Sequence, residues 1–264
     1  MVSFSPLNQA FQQGRALKII SGLNNFDPER VAAVVRAADK GGATFLDIAA
    51  DPALVKLARE LTTLPICVSA VEPEKFVVAV EAGADLIEIG NFDSFYAQGR
   101  RFEAPEVLDL TRQTRSRLPH ITLSVTVPHI LPLDQQVQLA EALVEAGADI
   151  IQTEGGTSSA PAHAGTLGLI EKAAPTLAAA YEISRTVSVP VLCASGLSSA
   201  TVPLAIAAGA SGVGIGSAVN QLNDELAMVA AVRSLAEALS ATQSRAASLG
   251  RHQSLRLGCD RALH

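Results

Sequence analysis

The stretch Val189–Asn220, VPVLCASGLSSATVPLAIAAGASGVGIGSAVN, decides the fold. It reads as an apolar strand, a glycine turn at 195–197, a helix of small residues, a second apolar strand and a second glycine turn at 216–218. Two successive strands with a glycine-rich tip after each are typical of the phosphate site of a (β/α)8 barrel. The stretch therefore predicts both a barrel and an anionic ligand.

Glycine at the two tips has a chemical consequence. Without a side chain, the backbone N–H groups can approach an anion closely, and the start of the next short helix adds a positive partial charge. Glycines at alternate positions of the second strand also leave open space beneath a bound phosphate. The residues predicted to hold the phosphate are Ser195, Gly196, Gly214, Gly216 and Ser217.

The same alternation of strand and helix extends outward over the whole chain. Uninterrupted alternation predicts a parallel sheet with crossover helices, and eight units at this length favour a closed barrel. Gly-Ala precedes every second strand, which suggests a repeated two-unit (βα)2 module. Outside the opening stretch, the predicted strands are Leu17–Ser21, Thr44–Ile48, Ile66–Ala70, Asp85–Ile89, Ile121–Val127 and Asp149–Thr153.

No linker or shift in composition divides the chain, so we expect a single α/β domain of the (β/α)8 (TIM) barrel class. The barrel is predicted to cover about 15–241, with 242–264 as a C-terminal extension. Asp-Pro pairs at Asp27 and Asp51 are typical helix starts, with aspartate as the N-cap and proline at the first helical position. The segment 91–96 and the long stretch from Glu154 to Gly168 are predicted loops.

Composition limits the classes of protein. The chain has 264 residues, of which 48% are hydrophobic and only 4% aromatic, so aliphatic side chains must fill its core. A net charge of −6 argues against a nucleic-acid partner. The most apolar run, Leu204–Val219, is too short and glycine-rich to span a membrane, and the N-terminus lacks the pattern of a signal peptide. Three widely spaced cysteines indicate neither a disulfide framework nor a zinc site, which favours the cytoplasm.

The alternation of side chains along each strand predicts what faces the barrel interior. Helices cover the outside of such a barrel, so the apolar member of each alternating pair faces outward. The polar residues of strands 5, 6 and 7, including Gln152, Cys193 and Ser195, are assigned to the inside on the same basis. Four charged side chains are thereby predicted to point inward: Lys18, Asp47, Glu88 and Glu154.

Charged groups inside a barrel must be paired or serve a ligand, because an isolated buried charge is costly. Lys18 and Asp47 lie on neighbouring strands and are expected to pair. One interpretation is that all four groups form a polar network that only fills the barrel. The other interpretation is catalysis. Catalysis is favoured more for Glu88 and Glu154, because they lie near the carboxyl ends of their strands, where barrel active sites occur.

The loop that begins at Glu154 is long and rich in small residues, which is typical of a lid over a binding site. Gly155, Gly156, Thr157 and His163 are its predicted lid residues, and His163 could act there as an acid or base or be an ordinary solvated histidine. His129, after strand 5, lies at the same end of the barrel and is a weaker candidate.

Three functions remain open at this point. The first is an enzyme, a lyase or isomerase that moves a proton on a small phosphorylated metabolite with the carboxylates above and Lys18 as an electrostatic partner or Schiff-base site. The second is an FMN-dependent oxidoreductase. The third is a non-catalytic barrel that binds a phosphorylated metabolite and regulates a partner, and fold alone does not choose between them.

Long motifs give the chain a family resemblance. Among them are LKIISGLNNFD at 17–27, FLDIAADPALVK at 45–56, AGADLIEIGNFDSFY at 82–96 and GADIIQTEGGTSS at 147–159. Over about 15–220 the chain resembles the hypothetical chloroplast reading-frame family of cyanobacteria and red-algal plastids. The resemblance implies an aldolase-type barrel in the cytoplasm or the plastid stroma, and a homo-oligomer is compatible with it.

The last three units also resemble, more distantly, flavin-dependent barrels of the nitronate monooxygenase and inosine-phosphate dehydrogenase type. The matching segments are 152–156, 195–197 and 214–217. In those barrels the segments hold the flavin phosphate, so the resemblance implies FMN as a candidate cofactor. The chain lacks the catalytic cysteine that the dehydrogenases carry after strand 6. The last two turns resemble those of ribulose-phosphate-binding barrels as well.

Overall fold

The computed structural model describes residues 6–156 and 159–241. Eight parallel strands close a barrel in which each strand pairs with its neighbours in chain order, and the last pairs with the first. The strands are β1 Ala16–Gly22, β2 Phe45–Ala49, β3 Ile66–Ala70, β4 Leu86–Ile89, β5 Thr122–Thr126, β6 Ile150–Gln152, β7 Val191–Ala194 and β8 Gly212–Ile215. The predicted (β/α)8 barrel is confirmed, and the predicted extension from 242 onward lies outside the described residues.

Helices surround the barrel and follow the strands in turn. The described helices are α1 Pro6–Gln12, α2 Pro28–Gly41, α3 Pro52–Leu61, α4 Pro73–Glu81, α5 Asp93–Tyr96, α6 Ala104–Arg117, α7 Leu133–Glu145, α8 Gly165–Ser184, α9 Val202–Ala207, α10 Ser217–Asn220 and α11 over 225–241. The Asp-Pro starts behave as predicted, because Asp27 and Asp51 each accept hydrogen bonds from two N–H groups of the first helical turn.

Four helix predictions differ from the structure. The sequence analysis missed α1, and it treated α5 as part of a loop. Helix α8 begins at Gly165 rather than after Gly168, which shortens the predicted lid loop. The helix of the opening stretch is shorter than expected because residues 198–201 form a turn in which the Thr201 hydroxyl accepts from the Ser198 N–H.

The barrel interior has an apolar layer at its amino-terminal end. Phe11 of α1 packs against Phe45 of β2 with ring centroids 5.9 Å apart, and α1 closes this end of the barrel. Cys67, Leu86 and Leu192 complete the layer from three further strands. Any ligand therefore has to enter from the opposite, carboxyl-terminal end.

The inward and outward assignment is wrong for β7. Leu192 lies in the apolar interior layer, whereas Cys193 packs outward, with its Sγ 3.6 Å from the Thr176 hydroxyl of α8. The strand reads Val-Leu-Cys-Ala, so all its residues are apolar and no alternation indicated which of them faces helices. Burial raises the pKa of the Cys193 thiol to about 11, so this thiol stays protonated.

Two arginines hold the amino-terminal ends of the strands together in the same way. Arg115 of α6 donates to the carbonyl oxygens of Gly147 and Ile121 and to the Asp149 carboxylate, which also accepts from the Leu123 N–H. Earlier in the chain, Arg59, Gly83, Asp85 and Ile66 repeat this pattern. The repeat agrees with the (βα)2 module that the Gly-Ala pairs suggested.

Replacing Arg115 with lysine should destabilise the barrel. Lysine keeps the charge but loses the fork that reaches several carbonyl oxygens at once, so we expect a loss of about 1–3 kcal/mol in the free energy of unfolding. Urea unfolding followed by circular dichroism measures it. Arg112→Lys, on the exposed face of the same helix, is the matched control and should change stability by less than about 0.5 kcal/mol. Equal stabilities of the two variants would contradict this role of Arg115.

Candidate functional site

A cavity of about 420 Å3 opens at the carboxyl-terminal end of the barrel. The turns after β7 and β8 form one part of its wall, and residues that follow β4 and β6 form the adjoining part. Residues that face it include Asn25, Arg30, Asn91, Asp93, Gln152, Glu154, Ser195, Gly196, Gly216, Ser217 and Asn220. This is the end at which barrel active sites occur.

The turns after β7 and β8 present unpaired backbone donors. Among the described residues, the N–H groups of Gly196, Gly216 and Ser217 find no hydrogen-bond acceptor. All three residues face the cavity. Exposed N–H groups of this kind are what an anion needs, as the sequence predicted for these turns.

Two of the predicted phosphate residues have other surroundings. The Ser195 hydroxyl accepts from the N–H groups of Gly155 and Gly156, at 3.2 and 2.7 Å, and donates to the Asp93 carboxylate at 3.1 Å. Gly214 lies one layer lower, where a Cβ would be 2.9 Å from the Ala194 Cβ. Ser195 therefore joins the two sides of the cavity, and Gly214 leaves room beneath it.

One cation lies at the edge of the cavity on this side. The Arg30 guanidinium, at the start of α2, donates to the Asn220 carbonyl oxygen at 3.3 Å. The Asn220 amide in turn donates to the carbonyl oxygens of Ile20 and Ser21 at the end of β1. Arg30 and the turn donors together give this side a positive electrostatic character.

The adjoining part of the wall carries Asp93 and Glu154, which together with the neighbouring His129 form what we call the carboxylate–imidazole cluster. The His129 Nδ1 atom lies 3.2 Å from Glu154 Oε1 and 3.4 Å from Asp93 Oδ1. Glu154 Oε1 also accepts from the Tyr96 hydroxyl at 2.7 Å, and Glu154 Oε2 accepts from the Asp93 N–H at 3.2 Å. The side chain of Glu154 is only 3% exposed, yet it borders the cavity.

Burial and mutual contact shift the proton affinities in this cluster. Burial raises the pKa of Glu154 above its ordinary value, although the hydrogen bond from His129 acts in the opposite direction. Burial alone would lower the pKa of His129, but its hydrogen bond to Glu154 and the charges of Glu154 and Asp93 raise it overall. A carboxyl group with a raised pKa is suited to exchange protons near neutral pH.

The other three predicted catalytic residues lie beneath the cavity. Lys18, Asp47 and Glu88 are completely buried in the barrel, and none of them faces the cavity. The Lys18 ammonium group donates to Glu88 Oε2 at 2.6 Å and to Gln152 Oε1 at 3.0 Å. Asp47 lies 4.0 Å from the same ammonium group, so the expected ion pair with Asp47 is present, although Glu88 is the nearer partner.

Amide and hydroxyl groups complete this buried network. Glu88 accepts from Ser124, Gln152 and Asn91, and Asp47 Oδ1 accepts from the Ser69 hydroxyl at 2.5 Å. Gln152 and Asn91 also face the cavity, so they connect the network to it. Asp47 Oδ2 is buried without a hydrogen-bond partner among the described residues.

Lys18 keeps its proton in this environment. Burial alone would lower the pKa of Lys18, but the charges of Asp47 and Glu88 raise it above its ordinary value. An ammonium group is not a nucleophile, so the geometry does not favour the Schiff-base role. Burial raises the pKa of Asp47 from 3.8 to about 6, against the influence of Lys18.

The predicted lid is divided by the structure. A Cβ on Gly156 would lie 2.3 Å from the Gly196 Cα, so the two backbones touch and Gly155 and Gly156 belong to the cavity wall. His163 is exposed and its Nδ1 lies 2.6 Å from Glu171 of α8, away from the cavity. Thr157 lies outside the described residues.

Sequence reasoning missed Asn91, Asp93 and Arg30 as cavity residues. Asn91 has a φ of 61°, a left-handed conformation that non-glycine residues rarely adopt, and asparagine tolerates it best. The Asn-Phe-Asp sequence directly after β4 carried a usable signal, because polar residues at that end of a strand face the mouth of a barrel. Arg30 gave none, since it reads as an ordinary exposed helix residue.

No helix of the described residues is long and apolar enough to cross a membrane.

Comparisons with known proteins agree with the fold. The model of a family described as "Protein of unknown function (DUF561)" matches residues 1–245. "Uncharacterized protein ycf23" of Cyanophora paradoxa is 48% identical over 224 residues, which cover 84% of this chain and 92% of the relative.

Solved structures are similar in fold at low sequence identity. The thiamine phosphate pyrophosphorylase of Pyrococcus furiosus superposes with a TM-score of 0.58 at 19% identity, covering 88% of this chain and 98% of that one. The (S)-3-O-geranylgeranylglyceryl phosphate synthase of Thermoplasma acidophilum, in complex with its substrate sn-glycerol-1-phosphate, has a TM-score of 0.57 at 14% identity and covers 88% and 97%.

Replacing Asp47 with asparagine should stabilise the protein above pH 6. The folded state holds the Asp47 proton more tightly than the unfolded chain, so its contribution to stability falls as the pH rises from about 4 through about 6. Asparagine has no such fall and still accepts from Ser69, so we expect a gain on the order of 2 kcal/mol at pH 8. Chemical unfolding at pH 5 and pH 8 measures the difference.

The control for this variant is Glu88→Gln, which removes the main partner of Lys18. It should destabilise the protein at pH 8, because a buried ammonium group then keeps only the more distant Asp47. The prediction is contradicted if Asp47→Asn lowers the free energy of unfolding at pH 8 as much as Glu88→Gln does. The two carboxylates would then stabilise the folded state equally.

Proposed function

The chain belongs to the DUF561 family, and from its cavity we propose that it is an enzyme acting on a small phosphorylated metabolite. The phosphate would bind the N–H groups of the turns after β7 and β8, and the far end of the ligand would face the carboxylate–imidazole cluster. The reaction would be a proton transfer next to a carbonyl group, as in isomerases and lyases. The cytoplasm or the plastid stroma is the expected location.

The observation that carries the proposal is the polarity of the cavity. Unpaired backbone donors and Arg30 lie in one part of the cavity wall, and the carboxylates of Asp93 and Glu154 lie in the adjoining part, where Ser195 contacts Asp93. A ligand that carries a phosphate at one end and a hydrogen next to a carbonyl group at the other would fit both parts of the cavity wall. Several solved barrels of similar fold are named for reactions of phosphate compounds, and one of them is in complex with sn-glycerol-1-phosphate. These names support a phosphorylated ligand.

Glu154 is the group proposed to exchange the proton. It borders the cavity, its pKa is raised, and its hydrogen bonds to Tyr96, His129 and the Asp93 N–H fix its orientation. His129 lies behind it and would act through it as a positioning residue. Lys18, Asp47 and Glu88 would contribute electrostatically from below, through Gln152 and Asn91.

FMN is a less suitable occupant of this site. The two turns would accept its phosphate as readily as that of a metabolite. The flavin ring would then lie beside Asp93 and Glu154, whereas a reduced flavin carries negative charge that needs a positive or donating partner. The residues of the cavity fit the phosphate of FMN but not its flavin ring. A yellow preparation with flavin absorbance would overturn this conclusion.

Replacing Ser217 with aspartate should weaken phosphate binding. A carboxylate at the start of α10 would repel an anion at the adjacent N–H groups, and the neutral, equally large Ser217→Asn is the matched control. Calorimetric titration with sn-glycerol-1-phosphate and with inorganic phosphate is the measurement. We expect the aspartate variant to bind at least about tenfold more weakly than the asparagine variant. Equal binding by the two variants would place the anion elsewhere.

Replacing Glu154 with glutamine should abolish proton transfer while phosphate binding persists. A panel of small phosphorylated ketones and aldehydes in deuterated water, followed by proton NMR, detects exchange of the hydrogen next to the carbonyl group. The wild-type chain should catalyse exchange with at least one of them, and the variant should be slower by about 10²–10⁴. Exposed Glu103→Gln is the charge-matched control.

Two outcomes of the exchange experiment would contradict the proposal. Normal exchange by the Glu154→Gln variant would remove Glu154 from the chemistry. Tight binding of several phosphorylated compounds without exchange in any of them would favour the alternative of a non-catalytic metabolite-binding protein.

A further inference from the structure

The carboxylate–imidazole cluster collects side chains from three successive strand ends. Asp93 follows β4, His129 follows β5 and Glu154 follows β6. One nitrogen and two oxygen atoms, one from each residue, lie within 4.8 Å of one another. Although the three residues are far apart in sequence, the parallel pairing of these neighbouring strands brings the atoms together.

The distances between these atoms match those between ligands of one metal ion. With metal–ligand bonds of about 2.0–2.2 Å, neighbouring ligand atoms lie about 2.8–3.1 Å apart in an octahedral site and about 3.3–3.6 Å apart in a tetrahedral one. The observed separations from His129 Nδ1 are 3.2 Å to Glu154 Oε1 and 3.4 Å to Asp93 Oδ1. No large rearrangement is needed to place an ion among the three atoms.

Neighbouring groups hold both carboxylates in place, and the Tyr96 hydroxyl also donates to Glu154 Oε1 at 2.7 Å. Ser195 donates to Asp93 Oδ2 at 3.1 Å, and the Asp93 N–H donates to Glu154 Oε2 at 3.2 Å. The oxygens Asp93 Oδ1 and Glu154 Oε1 are thereby directed toward the imidazole nitrogen. Hydrogen bonds that orient the ligands in this way are typical of metal sites.

Charge balance also favours a divalent cation. Asp93 and Glu154 carry two negative charges when ionised, and His129 supplies at most one positive charge. Both carboxylates are at least nine-tenths buried, so an excess negative charge is poorly solvated there. A divalent cation bound to a neutral imidazole and two carboxylates brings the three side chains to neutrality.

We propose that Asp93, His129 and Glu154 bind one divalent transition-metal ion, such as Mn²⁺, at the wall of the cavity. A set of one imidazole and two carboxylates suits such ions, and three protein ligands leave positions open toward the cavity. Asp93 and Glu154 both border that cavity, so a ligand oxygen can reach the open positions.

The chemical role of this ion rests on the proposed function. The ion would hold the carbonyl oxygen of the phosphorylated ligand and stabilise the negative charge that forms there as the neighbouring proton leaves. With the ion bound, Glu154 would be one of its ligands through one oxygen and would accept the proton through the other carboxylate oxygen.

The test is a titration of chelator-treated protein with Mn²⁺, followed by electron paramagnetic resonance. The wild-type chain should bind about one ion, and Asp93→Asn and Glu154→Gln should each bind it about tenfold or more weakly. Glu103→Gln should bind as the wild type does. Circular dichroism spectra show whether each variant is folded, and each variant replaces a carboxylate by an amide of the same size.

A second arm separates this inference from the proposed function. Binding of sn-glycerol-1-phosphate is measured without metal, and its phosphorus NMR line should broaden when bound Mn²⁺ lies nearby. Phosphate binding without Mn²⁺ binding, or Mn²⁺ binding that both amide variants retain, would overturn the metal site and leave the proposed function standing. Mn²⁺ binding that the two variants lose, without any phosphate binding, would support the metal site and overturn the proposed function.

Discussion

The ion pair between Lys18 and Glu88 is the interaction on which the interior of this barrel depends. The ammonium and carboxylate groups are 2.6 Å apart at the centre of the strands, where no solvent reaches them. Removing either partner would leave an unpaired buried charge, which is among the most costly changes a protein core can suffer. Glu88 also holds the amides of Asn91 and Gln152, so the pair sets the orientation of the side chains that form the floor of the cavity.

The position of the cavity follows from how the two ends of the barrel are filled. At the amino-terminal end, aromatic and aliphatic side chains pack densely, and Arg59 and Arg115 tie the strand ends together. At the other end, glycines after β7 and β8 leave backbone donors exposed, and polar groups follow β4, β5 and β6. Dense apolar packing and exposed polar groups are thus separated along the barrel axis, as in barrels whose active sites lie at the carboxyl-terminal end.

The fold could be predicted from the sequence because its signals are local and repeated. Glycine turns, Asp-Pro helix starts and strand–helix alternation each act within a few residues, and the barrel closes as they indicated. The cavity was harder to predict. Glu154 stood out as a charge at a strand end, but its contact with His129 and Asp93 depends on the curvature of three strands. The ion pair of Lys18 with Asp47 follows from their neighbouring strands, but the closer contact with Glu88 was not predicted, because adjacency in the strand order does not fix how far a long side chain reaches across the interior. Asp93 was hidden in a segment that read as an aromatic loop.

The short helix α1 at the foot of the barrel has a consequence for the path of any ligand. With Phe11 packed against Phe45, that end of the barrel is closed, so a ligand can reach the cavity only through the carboxyl-terminal mouth. In the proposed enzyme, a molecule bound deeper in the cavity would have to enter before one bound nearer the mouth and leave after it.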